Sequence, residues 1–213
     1  MLKSYILPTI LCSLFVIAAC QETTKPIPQP TPADQYDLFT PAEYKMLQPG
    51  DIILRKGNGM VSNFIASFLE EKYPITHCGI LTKRADNKFY VISCESTPDV
   101  DGMICNSLKE FCQSSLPHST AVVRPKGSEK DRQRVLAEAE WYMKQTKPFD
   151  MKFDVTDSTE YYCVELFMHI FEHVYNKDYF PRRKKLITFD VIHMDNFLDT
   201  TNFQILFNHA ENK

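Results

Sequence analysis

The sequence lacks several of the signatures by which common functions are recognised. Its 24 lysines and arginines are outnumbered by 27 aspartates and glutamates, so it has no basic excess with which to bind nucleic acid. Its seven cysteines form no CxxC pair, which excludes a zinc ribbon and a thioredoxin-type redox motif. It contains no P-loop, no HExxH segment and no internal repeat. It therefore lacks the motifs of P-loop nucleotide-binding proteins, HExxH zinc proteases and solenoid repeat proteins.

The first twenty residues have the layout of a secretory signal. Lys3 precedes an apolar run, residues 5–19, that is too short and too interrupted by Pro8 to span a membrane comfortably. Its ending, IAAC, resembles a bacterial lipobox, which implies cleavage before Cys20 and diacylglycerol on that sulfur. We therefore expect an exported protein, lipid-anchored to a membrane of the bacterial cell envelope through Cys20. An ordinary signal peptide or an uncleaved anchor is the alternative.

The remaining chain divides into a tether and one domain. Residues 21–35 contain four prolines and almost no bulky apolar side chain, which is typical of a disordered, semi-extended linker. Residues 36–213 have the size of a single domain with its own core, and we expect a monomer. The domain holds five cysteines, so at least one thiol is free whatever pairs form.

Hydrophobic periodicity predicts an α+β domain in which antiparallel strands and helices are segregated. Helices are predicted over residues 40–47, 60–71, 107–113, 128–145 and 160–176. Strands are predicted over residues 51–55, 75–82, 88–96, 102–108, 119–125 and 201–209, with the second and third joined as a hairpin. Ser158 or Thr159 is predicted to cap the helix over 160–176. The basic run RRKK at 182–185 is predicted to be a solvated loop.

Cys163, in the stretch YYCVELF, lies within the first turn of a predicted amphipathic helix. A cysteine attacks as its thiolate, and little thiolate exists at neutral pH unless the pKa of the thiol is lowered. The positive end of a helix lowers that pKa, and so does a neighbouring histidine. Cys163 meets the first condition. Whether it is a nucleophile or a buried structural sulfur depends on the second.

Two of the six histidines lie on the same predicted helix as Cys163. His169 and His173 have the four-residue spacing that can hold a metal ion, but HIFEH does not have the order of HExxH. His169 follows Cys163 by six residues and points to a different face. We interpret the pair as a partly exposed helix surface, with a metal site as the alternative.

His77 offers a better partner for the thiol. It lies in the apolar segment THCGIL, and Glu95 ends the next strand-like segment, SCES. A hairpin can bring the two side by side, where the carboxylate would fix the tautomer of the imidazole. Taken singly, a strand histidine is more often structural and a strand-end glutamate is more often merely solvated.

Four segments together resemble a known family, namely PGDIILRKGNGMVSNFI, THCGIL, SCES and FDMKFDVTDSTEYYCVELF. They are similar to the YiiX/YaeF-type permuted papain-like amidases, a circularly permuted branch of the NlpC-type cysteine hydrolases. The resemblance runs from about Gly50 to Phe171. It implies a circularly permuted papain-like fold with an antiparallel sheet packed against helices. Permutation explains why the nucleophile comes late in the chain.

The resemblance also implies which residues do what. Gly50 and Asp51 match the pair that opens the family's first strand. Cys163 matches the nucleophile, His77 the general base and Glu95 the acidic orienter. The family's usual serine after the nucleophile is Val164 here. A small or aliphatic residue usually stands where this chain has Cys78, which we interpret as a small buried side chain.

The implied activity is hydrolysis of an amide through a thioacyl intermediate, with no metal and no organic cofactor. The backbone N–H of Cys163 is the expected oxyanion donor, and the hydroxyl of Tyr161 or Tyr162 is a candidate for the second donor. The expected substrate is a peptidoglycan peptide. The alternatives are a lipid ester or N-acyl substrate, hydrolysed or transferred on the same triad, and a lipoprotein that binds without catalysis.

Overall fold

The computed structural model describes residues 39–186 and 189–212. The predicted signal peptide at 1–20, the lipidated Cys20 and the tether at 21–35 lie outside the described residues. The helices are α1 Pro41–Met46, α2 Met60–Leu69, α3 Leu108–Gln113, α4 Glu129–Met143 and α5 Cys163–Tyr175, with 3₁₀ helices at Met194–Leu198 and His209–Asn212. The strands are β1 Ile52–Arg55, β2 His77–Lys83, β3 Phe89–Thr97, β4 Val100–Ser107, β5 Ala121–Pro125, β6 Arg183–Leu186, β7 Phe189–Ile192 and β8 Phe203–Asn208. None of the helices within these ranges is both long enough and apolar enough to cross a membrane.

Six strands form one antiparallel sheet in the order β4-β3-β2-β1-β5-β8. The predicted α+β class, with an antiparallel sheet packed against helices, is confirmed. Successive side chains of β1 point to opposite faces, so Ile52 and Leu54 join the core that includes α4 and α5. Ile53 joins a smaller core with α3 on the other face. The sheet is buried on both sides, which is why β1 reads as a continuous apolar run.

Gly50 and Asp51 fix the entry to β1. Gly50 has φ +89°, a conformation that favours glycine, and its N–H donates to the carbonyl of Leu81 at 2.8 Å. Asp51 is fully buried, and its two carboxylate oxygens lie 2.7 and 2.8 Å from Nε and Nη2 of Arg124 on β5. It also accepts the backbone N–H of Gln48 at 2.7 Å. The Gly-Asp pair therefore joins the turn before β1 to both neighbouring strands.

The predicted loop at 182–185 is wrong, because most of this basic run forms strand β6. Arg183 pairs with Ile192 in a separate two-stranded sheet formed by β6 and β7. The charges have partners: Arg182 lies 3.0 Å from Asp195, and Lys184 donates to the carbonyl of Phe68 at 2.6 Å. The run thereby connects the β6–β7 hairpin to α2, an arrangement that its composition did not indicate.

Glu71, just after α2, shares a buried site with Asp195. Its side chain is 1% exposed and accepts the backbone N–H groups of Met194 at 2.6 Å and Asp195 at 3.3 Å. Burial and the charge of Asp195 raise the pKa of Glu71 from 4.5 to about 8. The folded protein therefore retains a proton that the unfolded chain loses above pH 4.5, so stability falls as pH rises from 4.5 to about 8.

We expect Glu71→Gln to remove this pH dependence, because glutamine resembles the protonated side chain. Glu71 contributes a decline in the free energy of unfolding of up to about 1.4 kcal/mol per pH unit over that range. Denaturant unfolding of wild type and variant between pH 4.5 and 9 measures it. Glu70→Gln, at the exposed neighbouring position, is the matched control and should keep the wild-type slope. An unchanged slope in Glu71→Gln would contradict this assignment.

Candidate active site

Cys163 is the first residue of α5 and lies at the base of a cleft of about 380 Å³. The first hydrogen bond inside the helix runs from Leu166 N to Tyr162 O at 3.1 Å. The backbone N–H of Cys163 therefore takes no part in the helical ladder and lies at the positive end of the helix dipole. Although its side chain is largely buried, Cys163 lines the cleft and is reached from it.

The helix begins here because Glu165 caps it. Its carboxylate, fully buried at the third helical position, accepts the backbone N–H of Tyr162 at 3.2 Å. The predicted cap at Ser158 or Thr159 is wrong: the residue before the helix is Tyr162, and Thr159 bonds to Asp157 instead. Tyr162 is still extended, with φ −96° and ψ 170°, so the helix starts at Cys163 and the sulfur lies on its first turn.

The segment before α5 is held by Asp150. Its backbone N–H donates to Tyr161 O at 3.0 Å, and its carboxylate accepts the N–H groups of Lys152 at 2.7 Å and Asp154 at 2.6 Å. Phe149 and Tyr161 form a parallel bridge at the same place. Both ends of this polar connection are therefore fixed against each other, and with them the position of Cys163.

His77 and Glu95 face each other across the β2–β3 hairpin. Gly79 pairs with Ser93 in the antiparallel ladder of β2 and β3. Extending this ladder by two residues on each strand places His77 opposite Glu95. Nε2 of His77 lies 3.2 Å from Oε1 of Glu95, which also accepts a hydrogen bond from the Ser93 hydroxyl at 2.8 Å. Since Nε2 is held by the carboxylate, Nδ1 is the ring nitrogen left for the sulfur.

The ring of His77 rests on Phe111 of α3, with centroids 5.6 Å apart and the rings 28° from parallel. A Cβ at Gly79 would overlap Val91 Cγ1 and lie 3.0 Å from the carbonyl oxygen of Ile92. The glycine of THCGIL thus makes room for Val91 on the neighbouring strand.

The sulfur of Cys163 is surrounded by groups that stabilise its thiolate. A hydrogen bond from the Cys78 thiol acts most strongly, burial opposes it, and the hydrogen bond and charge of His77 add to it. Together they lower the pKa of Cys163 well below that of a free thiol. Burial and Arg55 act to lower the pKa of His77, but its hydrogen bonds to Cys163 and Glu95 outweigh them and raise it above 6.5. Both shifts favour a thiolate–imidazolium pair.

Glu95 is ionised near neutral pH. Burial opposes its charge, but the hydrogen bond and charge of His77, the charge of Arg55 and the Ser93 hydroxyl together lower the pKa of Glu95 to about 2. The structure thus brings Cys163, His77 and Glu95 together, as the sequence predicted for a nucleophile, a base and its orienter.

The two tyrosines before Cys163 do not line the cleft. The Tyr162 hydroxyl is buried and accepts the backbone N–H of Ile192 at 3.2 Å. The Tyr161 hydroxyl lies 3.1 Å from Lys147 Nζ. The side-chain donors that do line the cleft beside Cys163 include Asn58, Ser62 and Thr76. Sequence reasoning assigned none of these three residues a role as donor, since a single polar side chain in a loop or before a strand carries no signal of its own.

His169 and His173 have carboxylate partners: His169 Nε2 lies 3.6 Å from Glu165, and His173 Nδ1 lies 3.1 Å from Glu138. In the described ranges no three His, Cys, Asp or Glu side chains are grouped so that they can hold a metal ion. Val164 is buried in the core.

Within the described residues Cys78, Cys94, Cys105 and Cys112, whose pairing the sequence left open, are all free, and so is Cys163. Cys78 is fully buried.

Comparison with known proteins confirms the predicted permuted papain-like fold. A family described as permuted papain-like amidase enzyme, YaeF/YiiX, C92 family, matches residues 46–200. Among solved structures, the chain is similar to metalloprotein yiiX from Escherichia coli O157:H7, with 19% sequence identity and a TM-score of 0.62. The match covers 76% of this chain and 97% of that one. No curated protein matches the sequence.

Proposed function

Because this chain belongs to the permuted papain-like amidases, we propose that it is a cysteine hydrolase that cleaves an amide bond through a thioacyl intermediate on Cys163. The observation that carries the proposal is the geometry around the sulfur. Cys163 lies at a helix N-terminus and lines the same cleft as His77 and Glu95, while His77 is held by Glu95 at 3.2 Å. This is the nucleophile–base–orienter arrangement of acyl-transfer enzymes.

In the proposed reaction the Cys163 thiolate attacks the amide carbonyl carbon. The C–N bond then breaks, and the amine leaves with the proton that His77 carries. A water molecule, deprotonated by His77, attacks the thioester, so that the acid is released and the Cys163 thiolate is restored. The backbone N–H of Cys163 is the first oxyanion donor, and Asn58, Ser62 or Thr76 replaces the tyrosines as the second.

We propose an amide in a peptidoglycan peptide as the first substrate class. Polar side chains on the cleft wall support it, because the backbone groups of a peptide need hydrogen-bond partners: Asn58, Ser62, Ser96 and Thr97. The scissile amide would lie between this wall and Cys163.

A second substrate class, N-acyl amides or lipid esters with an apolar chain, is favoured by α2. Met60 is 89% exposed and Phe64 is 55% exposed, and Met151, which lines the cleft with Met60, is 53% exposed. Exposed apolar side chains next to a nucleophile are unfavourable in water, and they are explained if they contact the acyl chain of a substrate.

We further propose that the protein is exported and lipid-anchored through Cys20, as a monomer in the cell envelope. The lipobox-like ending of residues 1–20 supports this. Mass spectrometry of the mature N-terminus tests it, since an unmodified Cys20 would contradict the proposal.

The function is tested by incubating the protein with two panels, muropeptides and a series of N-acyl amides and acyl-lipid esters of different chain lengths. Products are identified by mass spectrometry, and acid-quenched samples are searched for the acyl mass on the peptide containing Cys163. We expect product and adduct from one panel. Binding without product or adduct from either panel would identify a non-catalytic binding module instead.

A further inference from the structure

Arg55 lies in the same row of the sheet as His77 and Glu95. The ladder between β1 and β2 sets Arg55 opposite His77. The register of β2 and β3 continues this row to Glu95. Three adjacent strands therefore present a guanidinium, an imidazole and a carboxylate side by side, and all three line the cleft.

The contacts of Arg55 hold its guanidinium group in place. Nη1 donates to the carbonyl of Ser114 at 2.7 Å, and Nη2 lies 3.4 Å from Oε1 of Glu95. The guanidinium carbon lies 4.6 Å from the centroid of the Phe111 ring, the same ring on which His77 rests. The side chain is only 7% exposed, and its Nε has no hydrogen-bond partner within the described part of the chain.

Such a buried charge is poorly explained by stability alone. Removing a guanidinium from water is costly, and an ion pair in the interior often contributes no more than apolar side chains of the same volume would. Here the partner is the one carboxylate that contacts His77, and the same oxygen of Glu95 accepts from both His77 and Arg55. The pair therefore acts on the site rather than on the core.

We propose that the Arg55 guanidinium, fixed beside His77 and Glu95, sets by its charge the pH range in which the Cys163–His77 ion pair exists. This inference rests on the proposed function. Arg55 does not touch the sulfur or a substrate carbonyl in this role. It acts through its charge on Cys163 and His77.

The titratable groups near the guanidinium come from four elements: Glu95 on β3, His77 and Cys78 on β2, Cys112 on α3 and Cys163 on α5. Its positive charge favours the Cys163 thiolate and disfavours the His77 imidazolium. The pKa of Cys163 sets the lower limit of the pH range of the ion pair, and the pKa of His77 sets the upper limit. Without the charge of Arg55 both pKa values rise, so both limits move to higher pH. Loss of the Glu95 charge acts differently, because it removes the partner of the imidazolium and lowers the upper limit.

The test measures the rate at which iodoacetamide alkylates Cys163 between pH 4 and 10, followed on the Cys163 peptide by mass spectrometry. This needs no substrate. We expect Arg55→Met to move both limits up by about one pH unit. Arg55→Lys keeps the charge and should stay close to wild type. Glu95→Gln should lower the upper limit, and Arg84→Met, which removes an exposed arginine near Cys105, should change neither limit.

The proposal is overturned if Arg55→Met keeps the wild-type profile or shifts it in the direction of Glu95→Gln. Arg55→Gln, which can still donate to Ser114, carries the same expectation should the methionine variant fail to fold. If neither neutral variant folds, Arg55 is required for the fold and the proposal is also overturned. Failure of the proposed function is a separate outcome, in which wild-type Cys163 itself shows no enhanced reactivity below the pH range of a free thiol.

Discussion

Cys163→Ala is expected to lower kcat/KM for the hydrolysed substrate by about 10⁴-fold or more, with little change in stability. Removing the nucleophile leaves only the oxyanion donors and the binding energy of the cleft, and these account for a small fraction of the wild-type rate. Cys163 and alanine are both small and apolar when uncharged, and the helix cap formed by Glu165 does not depend on the sulfur. Initial rates on the substrate found by mass spectrometry measure the loss.

The matched control for this prediction is Cys105→Ala. Cys105 is also a free cysteine, but it lies on β4, where Nη2 of Arg84 is 2.9 Å from its sulfur. It should retain the wild-type rate. If Cys163→Ala retained more than about a hundredth of the wild-type rate after purification from an expression host that lacks the enzyme, covalent catalysis by Cys163 would be wrong.

The second large effect is expected on stability. Asp51→Ala should lower the free energy of unfolding by about 3–5 kcal/mol, because it leaves Arg124 without its carboxylate and Gln48 N–H without its acceptor. Burial raises the pKa of Asp51 in spite of Arg124, which shows how much solvation the carboxylate has lost. A loss of this size should lower the melting temperature by roughly 10 °C.

A double-mutant cycle separates the pair from the burial of each side chain. In Asp51→Ala/Arg124→Met neither charge is left unpaired, so the double variant should lose less stability than the sum of the single variants. Denaturant unfolding of all four proteins gives the coupling energy. Strict additivity would mean that the pair contributes nothing beyond its two separate environments.

The sequence predicted the parts of the fold in which periodicity is undisturbed. The β2–β3 hairpin, the apolar β1 and the amphipathic α5 all follow from spacing, and with them the proximity of His77 to Glu95. The β6–β7 hairpin was missed because its pairing is backbone-driven while its side chains are charged. Composition could not reveal that Lys184 finds the carbonyl of Phe68.

Of the candidate site, the sequence predicted the titratable residues Cys163, His77 and Glu95, but not the side chains around them. The sequence does not determine which side chain pairs with a charged residue at the end of an apolar strand. The contact of Arg55 with Glu95 therefore could not be predicted from it. The direction of an aromatic side chain likewise depends on packing. Tyr162 points to Ile192 and Tyr161 to Lys147, and nothing in the stretch YYC distinguishes these directions from the cleft.

The hairpin that carries His77 and Glu95 also has a consequence for the order of folding. These two residues are eighteen positions apart and are joined by a short turn, so their contact closes a small loop and is available early. Cys163 arrives only when α5 packs against the sheet across the length of the domain. A nascent chain therefore carries an ordinary thiol until its tertiary structure is complete. The lowered pKa of Cys163 therefore depends on contacts with Cys78 and His77 that only the folded domain makes.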